Sequence, residues 1–247
     1  MEHPRQLSDW HDPESAEEYL REGYSDRLYY HIYDHAIDTR TKARELGKWC
    51  AYNGQIIDFY VLDWAALGHD YGYLEYDMLP EDVRNRYPTR EKYAAAMTGG
   101  IMASFGAPQT AIRQVKEAIW STEVGVGCTS KEGRILRQAD LANVGGKNRA
   151  DFFINTIKLY REYRLLGGEN PNLFFAREFI NYCIKSNRVL SIYNTEDVSL
   201  GDFDKDLDGH STFCKNASEN IRMLLPDRIQ KLAELAGSKL LADISDN

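Results

Sequence analysis

An all-helical fold is predicted for this chain of 247 residues by three features of its sequence. Apolar side chains recur at the spacing of an amphipathic helix along most of its length. No segment shows the apolar–polar alternation, bounded by Asn-Gly or Asp-Gly turns, that predicts a β-hairpin. With 43% apolar residues, the chain can also bury a full core as one domain. We therefore expect an all-α, single-domain helical bundle.

The first two helices are predicted over residues 26–49 and 55–68. The first carries apolar and aromatic groups at helical spacing, and Gly47 marks its expected end. The second is more apolar and is expected to end at Gly68. Residues 71–88 are rich in Tyr, Asp, Glu and Pro and are predicted to form an exposed loop. Ordered loops of that length are often functional.

The next helices are predicted over residues 90–105 and 108–121, where Pro108 suits the first turn of the second. Residues 122–130 contain glycines and are predicted to be irregular. An apolar stripe then restarts a helix over residues 131–145.

Two further long helices are predicted over residues 148–166 and 172–190. An acidic, turn-rich segment over residues 194–211 precedes a final helical region over 212–243, which Pro226 interrupts. The bundle is thus expected to carry extra C-terminal helices.

Composition limits the classes of partner. The net charge of −8 argues against an extended nucleic-acid-binding surface, which would need a basic stripe. No run of apolar residues is long enough for a transmembrane helix, and the polar N-terminus predicts no signal peptide. The four cysteines are far apart in sequence, which favours reduced thiols. The predicted location is the cytoplasm, with no membrane partner.

A cluster of potential metal ligands is the most informative feature of the sequence. His31 and His35 lie four residues apart, so a helix would present both on one face. The dipeptide His69-Asp70 closes the most apolar helix, and Asp140 follows an apolar stripe that favours an inward orientation. A cation would offset the cost of burying such a carboxylate. Imidazoles and carboxylates together suit one divalent cation, with Mn, Fe, Co, Ni, Zn and Mg all left open.

The order and surroundings of these residues resemble the H…HD…D signature of the HD-domain superfamily of metal-dependent phosphohydrolases. The resemblance covers residues 26–190. It rests on Tyr30-His31-x-x-x-His35, Trp64-Ala-Ala-Leu-Gly-His69-Asp70-Tyr-Gly72 and Leu136-Arg-Gln-Ala-Asp140-Leu141, with Arg90–Met97 and Ala118–Thr122 placed like helices of that family. It implies metal ligation by His35, His69, Asp70 and Asp140.

The extent of the resemblance, together with the composition of the segments outside it, predicts a domain organisation. Residues 1–25 would be a polar N-terminal segment, and residues 26–190 an HD-type helical metal-binding domain. Residues 191–247 would form an acidic loop and a helical extension packed on the same domain. That extension either caps the domain or forms a homo-oligomer contact, and no motif in it decides between the two.

Two departures from the family pattern bear on mechanism. His31 resembles the phosphodiesterase histidine that protonates the leaving oxygen, although Ile32 stands where that form usually has Asn. Many relatives carry His-Glu where this chain has Arg90-Glu91. Because a protonated arginine cannot bind a cation but can clamp a phosphate, the resemblance implies a single-metal site with Arg90 as a substrate contact.

The predicted function is hydrolysis of a phosphate ester by a metal-activated water, the substrate being a nucleotide or a similar small molecule. His31, Glu91 or Glu75 would handle protons, and Tyr71 and Tyr73 would stack a base. For these side chains ordinary core or surface roles also remain open. The alternatives are a cyclic-nucleotide phosphodiesterase-like enzyme, favoured by the Tyr30-His31 pair, and a non-catalytic module that senses a ligand.

Overall fold

The computed structural model describes Pro13, residues 16–123, 126–143 and 149–167, and positions 216, 219 and 220. Every regular element within these residues is helical, so the predicted all-α fold class is confirmed. The described residues belong to two compact units. One comprises the residues up to Asp26 together with His31–Asp140, and the other Arg27–Tyr30 together with the residues from Leu141 onward. The predictions for 172–190 and 194–211, and nearly all of that for 212–243, lie outside the described residues.

The first unit contains eight of the α-helices that the structure describes. In chain order they are α1 (Glu17–Arg21), α2 (Tyr33–Tyr52), α3 (Phe59–Gly68), α4 (Tyr73–Met78), α5 (Glu81–Arg84), α6 (Arg90–Ser104), α7 (Gln109–Trp120) and α8 (Lys131–Asp140). Short α1 falls in the stretch that was expected to be a polar segment, and its Leu20 is buried.

Helix α2 begins later and ends later than predicted. It starts at Tyr33 instead of near residue 26, and it continues past Gly47 to Tyr52. Gly47 does not end the helix because it is a packing position: a methyl group there would stand 3.0 Å from the ring of Phe59. The glycine therefore lets α3 approach α2 closely.

Helix α3 lies at the centre of the first unit and packs against α2, α6, α7 and α8. Asp58 caps its start, accepting hydrogen bonds from the amides of Tyr60 and Val61 at 3.1 Å each. Its residues from Val61 to Gly68 are all buried, as expected of a helix that is apolar on every side. Asp63 is the one charged residue among these buried positions.

Two arginines of α2 neutralise Asp63. Arg44 binds both of its carboxylate oxygens at 2.7 and 2.5 Å, and Arg40 lies 3.3 Å from Oδ1. Arg40 also bonds Glu17 of α1 at 3.1 Å. This ionic network joins α1, α2 and α3.

The predicted loop over residues 71–88 is in part helical, because it contains α4 and α5. Helices of six and four residues are too short to show a periodic apolar pattern, so the sequence gives no signal for them. A hydrogen bond also connects two parts of this segment, because the Tyr76 hydroxyl donates to the carbonyl of Tyr87 at 2.8 Å.

Helices α6 and α7 form a packed pair that follows the prediction closely. Thr89 caps α6 by accepting from the amide of Lys92, and Pro108 precedes α7. Helix α8 then ends at Asp140, five residues before the predicted end. Arg137 of α8 is fully buried and donates to the carbonyls of Ser121, Glu123 and Val126. These hydrogen bonds stabilise the irregular segment that follows α7.

The second unit is described over a short 3₁₀ turn, Leu141–Asn143, and helix α9, Arg149–Leu165. Within this unit the buried carboxylate of Glu162 accepts hydrogen bonds from the amides of Tyr29 and Tyr30 at 3.3 and 3.0 Å. Those amides therefore bond to a side chain in a non-helical stretch, which explains why no helix begins near residue 26. None of the helices that the structure describes combines the length and the apolar character needed to cross a membrane.

Candidate metal centre

Three potential metal ligands converge from three helices of the first unit. His35 lies in the first turn of α2, His69 directly follows α3, and Asp140 is the last residue of α8. Their ligand atoms all lie within 4.8 Å of one another. Asp140 Oδ1 is 3.1 Å from His35 Nε2 and 3.4 Å from His69 Nε2. These residues can hold a metal ion.

Asp70 lies at the same point. Its Oδ2 is 3.0 Å from His69 Nε2 and 3.6 Å from His35 Nε2. The structure thus brings together all four residues that the sequence singled out as ligands. Both His69 Nε2 and Asp70 Oδ2 are buried without a hydrogen-bond partner among the described residues, although they are close enough to form one. Two such atoms 3.0 Å apart can both bind one cation.

The orientation of the His69 ring fits metal binding. Its Nδ1 lies 2.8 Å from the carbonyl oxygen of Ala66, which can only accept, so Nδ1 carries the proton. Nε2 faces the carboxylates of Asp70 and Asp140, and once deprotonated it can offer its lone pair to a cation between them. Metal-bound histidines are commonly held in one tautomer by such a bond from the second nitrogen.

Electrostatics give the cluster affinity for a cation. Burial alone would lower the pKa of His69, but the carboxylates of Asp70 and Asp140 outweigh it and hold that pKa well above its usual value. Burial likewise opposes ionisation of Asp70, yet the neighbouring histidines hold its pKa below the usual value. Asp140 behaves in the same way beside His35 and His69, and its pKa is also lowered. Two ionised carboxylates facing imidazole nitrogens form a donor set that suits Mn, Fe, Co, Ni, Zn or Mg.

His31 stands beside this cluster and is held by an aromatic stack. Its ring lies parallel to that of Tyr73, with centroids 3.7 Å apart and planes inclined by 10°. Its charge helps lower the pKa of Asp70, after the larger effects of burial, which opposes the shift, and of His69. The centroids of His31 and His35 are 6.1 Å apart. The structure therefore places the predicted proton donor next to the predicted ligands.

Arg90 covers the other face of Tyr73. Its guanidinium carbon is 4.5 Å from the centroid of that ring, and the face occupied by His31 has no room for it. Arg90 Nη2 also donates to Asp77 Oδ2 at 2.6 Å. With both faces covered, Tyr73 offers no free surface for a nucleobase in this conformation.

The remaining predicted site residues are Tyr71, Glu75 and Glu91. The ring of Tyr71 packs against Gly23, and burial raises its pKa, with Glu22 adding to the shift. Glu75 has one buried carboxylate oxygen without a hydrogen-bond partner in the described part of the chain. Burial raises the pKa of Glu91, and the negative charges of Glu123 and Asp70 raise it further. The charge of Asp70 thus acts on the carboxyl group of Glu91.

Several residues at the site were missed in the sequence. Tyr24 donates to the carbonyl of Leu67 at 2.9 Å, Thr98 donates to that of Gly68 at 3.1 Å, and Asp77 holds Arg90. Tyr24 and Leu67 are 43 residues apart, and no motif joins them. Asp77 was missed because residues 71–88 were predicted to form a loop, and a loop has no periodicity from which the direction of a side chain can be predicted.

No protein-family model matches this chain, and no curated protein matches it either. The likeness to the HD-domain signature accordingly rests on the residues described above.

Proposed function

We propose that this protein is a metal-dependent phosphohydrolase that cleaves a phosphate ester of a nucleotide or a similar small molecule. The observation that carries the proposal is the convergence of His35, His69, Asp70 and Asp140, with His31 stacked beside them. The order of these residues also follows the H…HD…D pattern.

One divalent cation is proposed to bind to His35, His69, Asp70 and Asp140. Asp70 joins the set because its Oδ2 lies as near the two imidazoles as Asp140 does and has no hydrogen-bond partner within the described residues. A cation at this position supplies Lewis acidity toward a phosphoryl oxygen and a water of lowered pKa. Arg90 takes the place of a second histidine ligand, which favours a single-cation centre.

Arg90 is proposed to bind the substrate phosphate. Its guanidinium is fixed by Tyr73 and Asp77, and its buried Nε makes no hydrogen bond in the described part of the structure. A phosphate oxygen would satisfy that donor, and the planar fork of arginine suits bidentate binding of phosphate. The carboxylate of Asp77 and the phosphate would then share or exchange one guanidinium.

Proton transfer is proposed to fall to His31 and Glu91. His31 would protonate the leaving oxygen, because among the described residues it is the histidine beside the cluster that is not itself a proposed ligand. Glu91 would accept the proton of the attacking water, since its carboxyl group lies close enough to respond to Asp70. Glu75 is the alternative acceptor. Tyr73 holds His31 in place instead of stacking a base.

The test is hydrolysis by metal-stripped full-length protein after addition of Mn²⁺, Co²⁺, Zn²⁺ or Mg²⁺. Nucleoside monophosphates, a cyclic nucleotide and a generic phosphodiester are the substrates. We expect turnover with at least one cation, and loss of turnover in both His69→Ala and Asp70→Ala. Asp82→Ala is the matched control, because this carboxylate of α5 is 73% exposed and outside the cluster.

Three outcomes separate the candidate functions. Cleavage of monoesters supports a phosphomonoesterase, whereas cleavage of the cyclic nucleotide supports the phosphodiesterase alternative. Binding of a nucleotide by the metal-loaded protein without turnover of any substrate would support a ligand-sensing module and contradict the proposed enzyme.

A further inference from the structure

Side chains donate hydrogen bonds to the carbonyl groups at the C-terminal end of α3. A helix leaves its last carbonyls without partners in the helix itself, and α3 ends immediately before His69 and Asp70. Three consecutive carbonyls at this end each accept a side-chain hydrogen bond, those of Ala66, Leu67 and Gly68. The donors are His69 itself and two residues from other parts of the first unit.

Tyr24 is the donor to the carbonyl of Leu67. Its hydroxyl is buried and lies 2.9 Å from that oxygen. Burial raises the pKa of Tyr24 well above its usual value, and the carboxylate of Asp70 raises it further, against an opposing hydrogen bond from the Asp70 backbone. The bond joins the last turn of α3 to a buried side chain 43 residues earlier in the chain.

Thr98 of α6 is the donor to the carbonyl of Gly68. It is fully buried, and its Oγ1 lies 3.1 Å from that oxygen. The contact depends on the glycine, because a methyl group at position 68 would collide with the Thr98 hydroxyl. Helix α6 thus holds the last residue of α3 directly before the His-Asp pair.

We propose that Tyr24 and Thr98 are positioning residues of the metal centre, which fix the last turn of α3 and thereby aim His69 and Asp70 at the cation. The inference rests on the proposed metal site but not on the phosphohydrolase reaction. The physical reason is that metal ligands tolerate little displacement. Supporting hydrogen bonds must hold them within about 0.5 Å of their productive positions. The two adjacent ligands follow the helix without an intervening residue, so any rotation of its last turn displaces both.

A merely structural role makes a different prediction. A lost hydrogen bond would lower the unfolding midpoint, but a protein that stays folded at 25 °C would keep its affinity for the metal. A positioning role requires that the affinity itself falls. Outer hydrogen bonds of metal sites typically change metal affinity by about 10- to 100-fold when removed.

The experiment measures the dissociation constant for Co²⁺ at 25 °C by visible absorption, and the unfolding midpoint of the metal-free protein by circular dichroism. Tyr24→Phe removes only the hydroxyl. Thr98→Val replaces the hydroxyl with a methyl group of similar size, whereas Thr98→Ser retains the hydroxyl and loses the methyl. The matched controls are Tyr76→Phe and Thr156→Val, which remove hydroxyl bonds to the carbonyls of Tyr87 and Phe152, residues that do not belong to α3.

We expect Tyr24→Phe and Thr98→Val to weaken Co²⁺ binding by about tenfold or more and to alter the Co²⁺ spectrum. Thr98→Ser and both controls should bind as the unmodified protein does, even where their unfolding midpoints fall. Equal affinity in Thr98→Val and Thr156→Val would overturn the positioning role and leave the proposed function standing. An unmodified protein that binds no divalent cation would overturn both.

Discussion

The two nitrogens of His69 have different partners, and this difference determines which one can bind a cation. Nδ1 is tied to the carbonyl of Ala66, so Nε2 faces Asp70 and Asp140. Asp140 in turn reaches His35. At this scale the chemistry depends on a few atoms whose orientations are set by the ends of helices.

The stack of His31 on Tyr73 leads to a prediction about turnover. Tyr73→Phe keeps the ring and should leave kcat near that of the unmodified enzyme. Tyr73→Leu removes the parallel ring at 3.7 Å and should lower kcat about tenfold, part of the 10²- to 10⁴-fold effect typical of a general acid. The measurement is steady-state hydrolysis at saturating metal. Equal kcat in the two variants would contradict a positioning role for Tyr73.

Arg90 and Asp77 lead to a prediction about substrate affinity. Arg90→Gln removes the positive charge of the guanidinium. The KM for the substrate should rise about tenfold, which corresponds to the loss of one charge-assisted hydrogen bond. Asp77→Asn keeps a side-chain oxygen that can accept from Arg90 Nη2 but removes the competing negative charge, and it should not raise KM. Initial rates over a range of substrate concentrations give both values. An unchanged KM in Arg90→Gln would exclude the phosphate contact.

Single residues were predictable from the sequence where a short motif carried them. The spacing of His35, His69, Asp70 and Asp140 follows a recognisable pattern, and the structure brings these residues together. Tyr24 was not predictable, because its bond to Leu67 spans 43 residues and no motif joins the two. The pairing of Arg90 with Tyr73 was not predictable, because Tyr73 lies in the short helix α4, for which the sequence carries no signal.

At the scale of elements, α3 shows how a mostly apolar helix tolerates one buried charge. Asp63 is 2% exposed and is bound by Arg40 and Arg44 of α2. The network fixes the relative position of the two helices that carry His35 and His69. The sequence predicted both helices, but it did not identify Asp63, since a single acid within an apolar run has no partner until the helices pack.

Removal of the buried carboxylate should therefore destabilise the protein strongly. We expect Asp63→Ala to lower the free energy of unfolding by about 3 kcal/mol, because the buried guanidinium of Arg40 would keep Glu17 but lose Asp63, and Arg44 would lose its bidentate carboxylate. Urea denaturation monitored by circular dichroism measures the change. Asp82→Ala, at an exposed carboxylate, should cost less than about 0.5 kcal/mol. A similarly small loss for Asp63→Ala would contradict the role of the network.

Element boundaries were predicted well where a terminal signal was local. Thr89 and Pro108 stand directly before α6 and α7, which begin within one residue of their predicted starts, whereas α3 begins at Phe59, four residues after the predicted residue 55. The start of α2 was wrong because the amides of Tyr29 and Tyr30 bond to Glu162, more than a hundred residues away. Its end was wrong because Gly47 serves packing against Phe59.

For the whole molecule, a cation that binds only the folded state should raise stability. At a free concentration one hundred times its dissociation constant, such a ligand adds about 2.7 kcal/mol to the free energy of unfolding. We expect the thermal midpoint to rise by roughly 5 to 10 °C for a chain of this size. Differential scanning calorimetry with and without Mn²⁺ measures it. His69→Ala should show no such rise, and an equal rise in that variant would mean that the metal binds elsewhere.

The central claim is a phosphohydrolase centre that uses one cation held by His35, His69, Asp70 and Asp140. Its most direct test is a titration of metal-stripped protein with Mn²⁺ while hydrolysis of a nucleotide or phosphodiester substrate is followed. The account predicts that the rate rises with added metal, reaches a plateau at one equivalent per chain, and is absent throughout in Asp140→Ala. A plateau only at two equivalents, or no hydrolysis by the unmodified protein at any metal ratio, would contradict it.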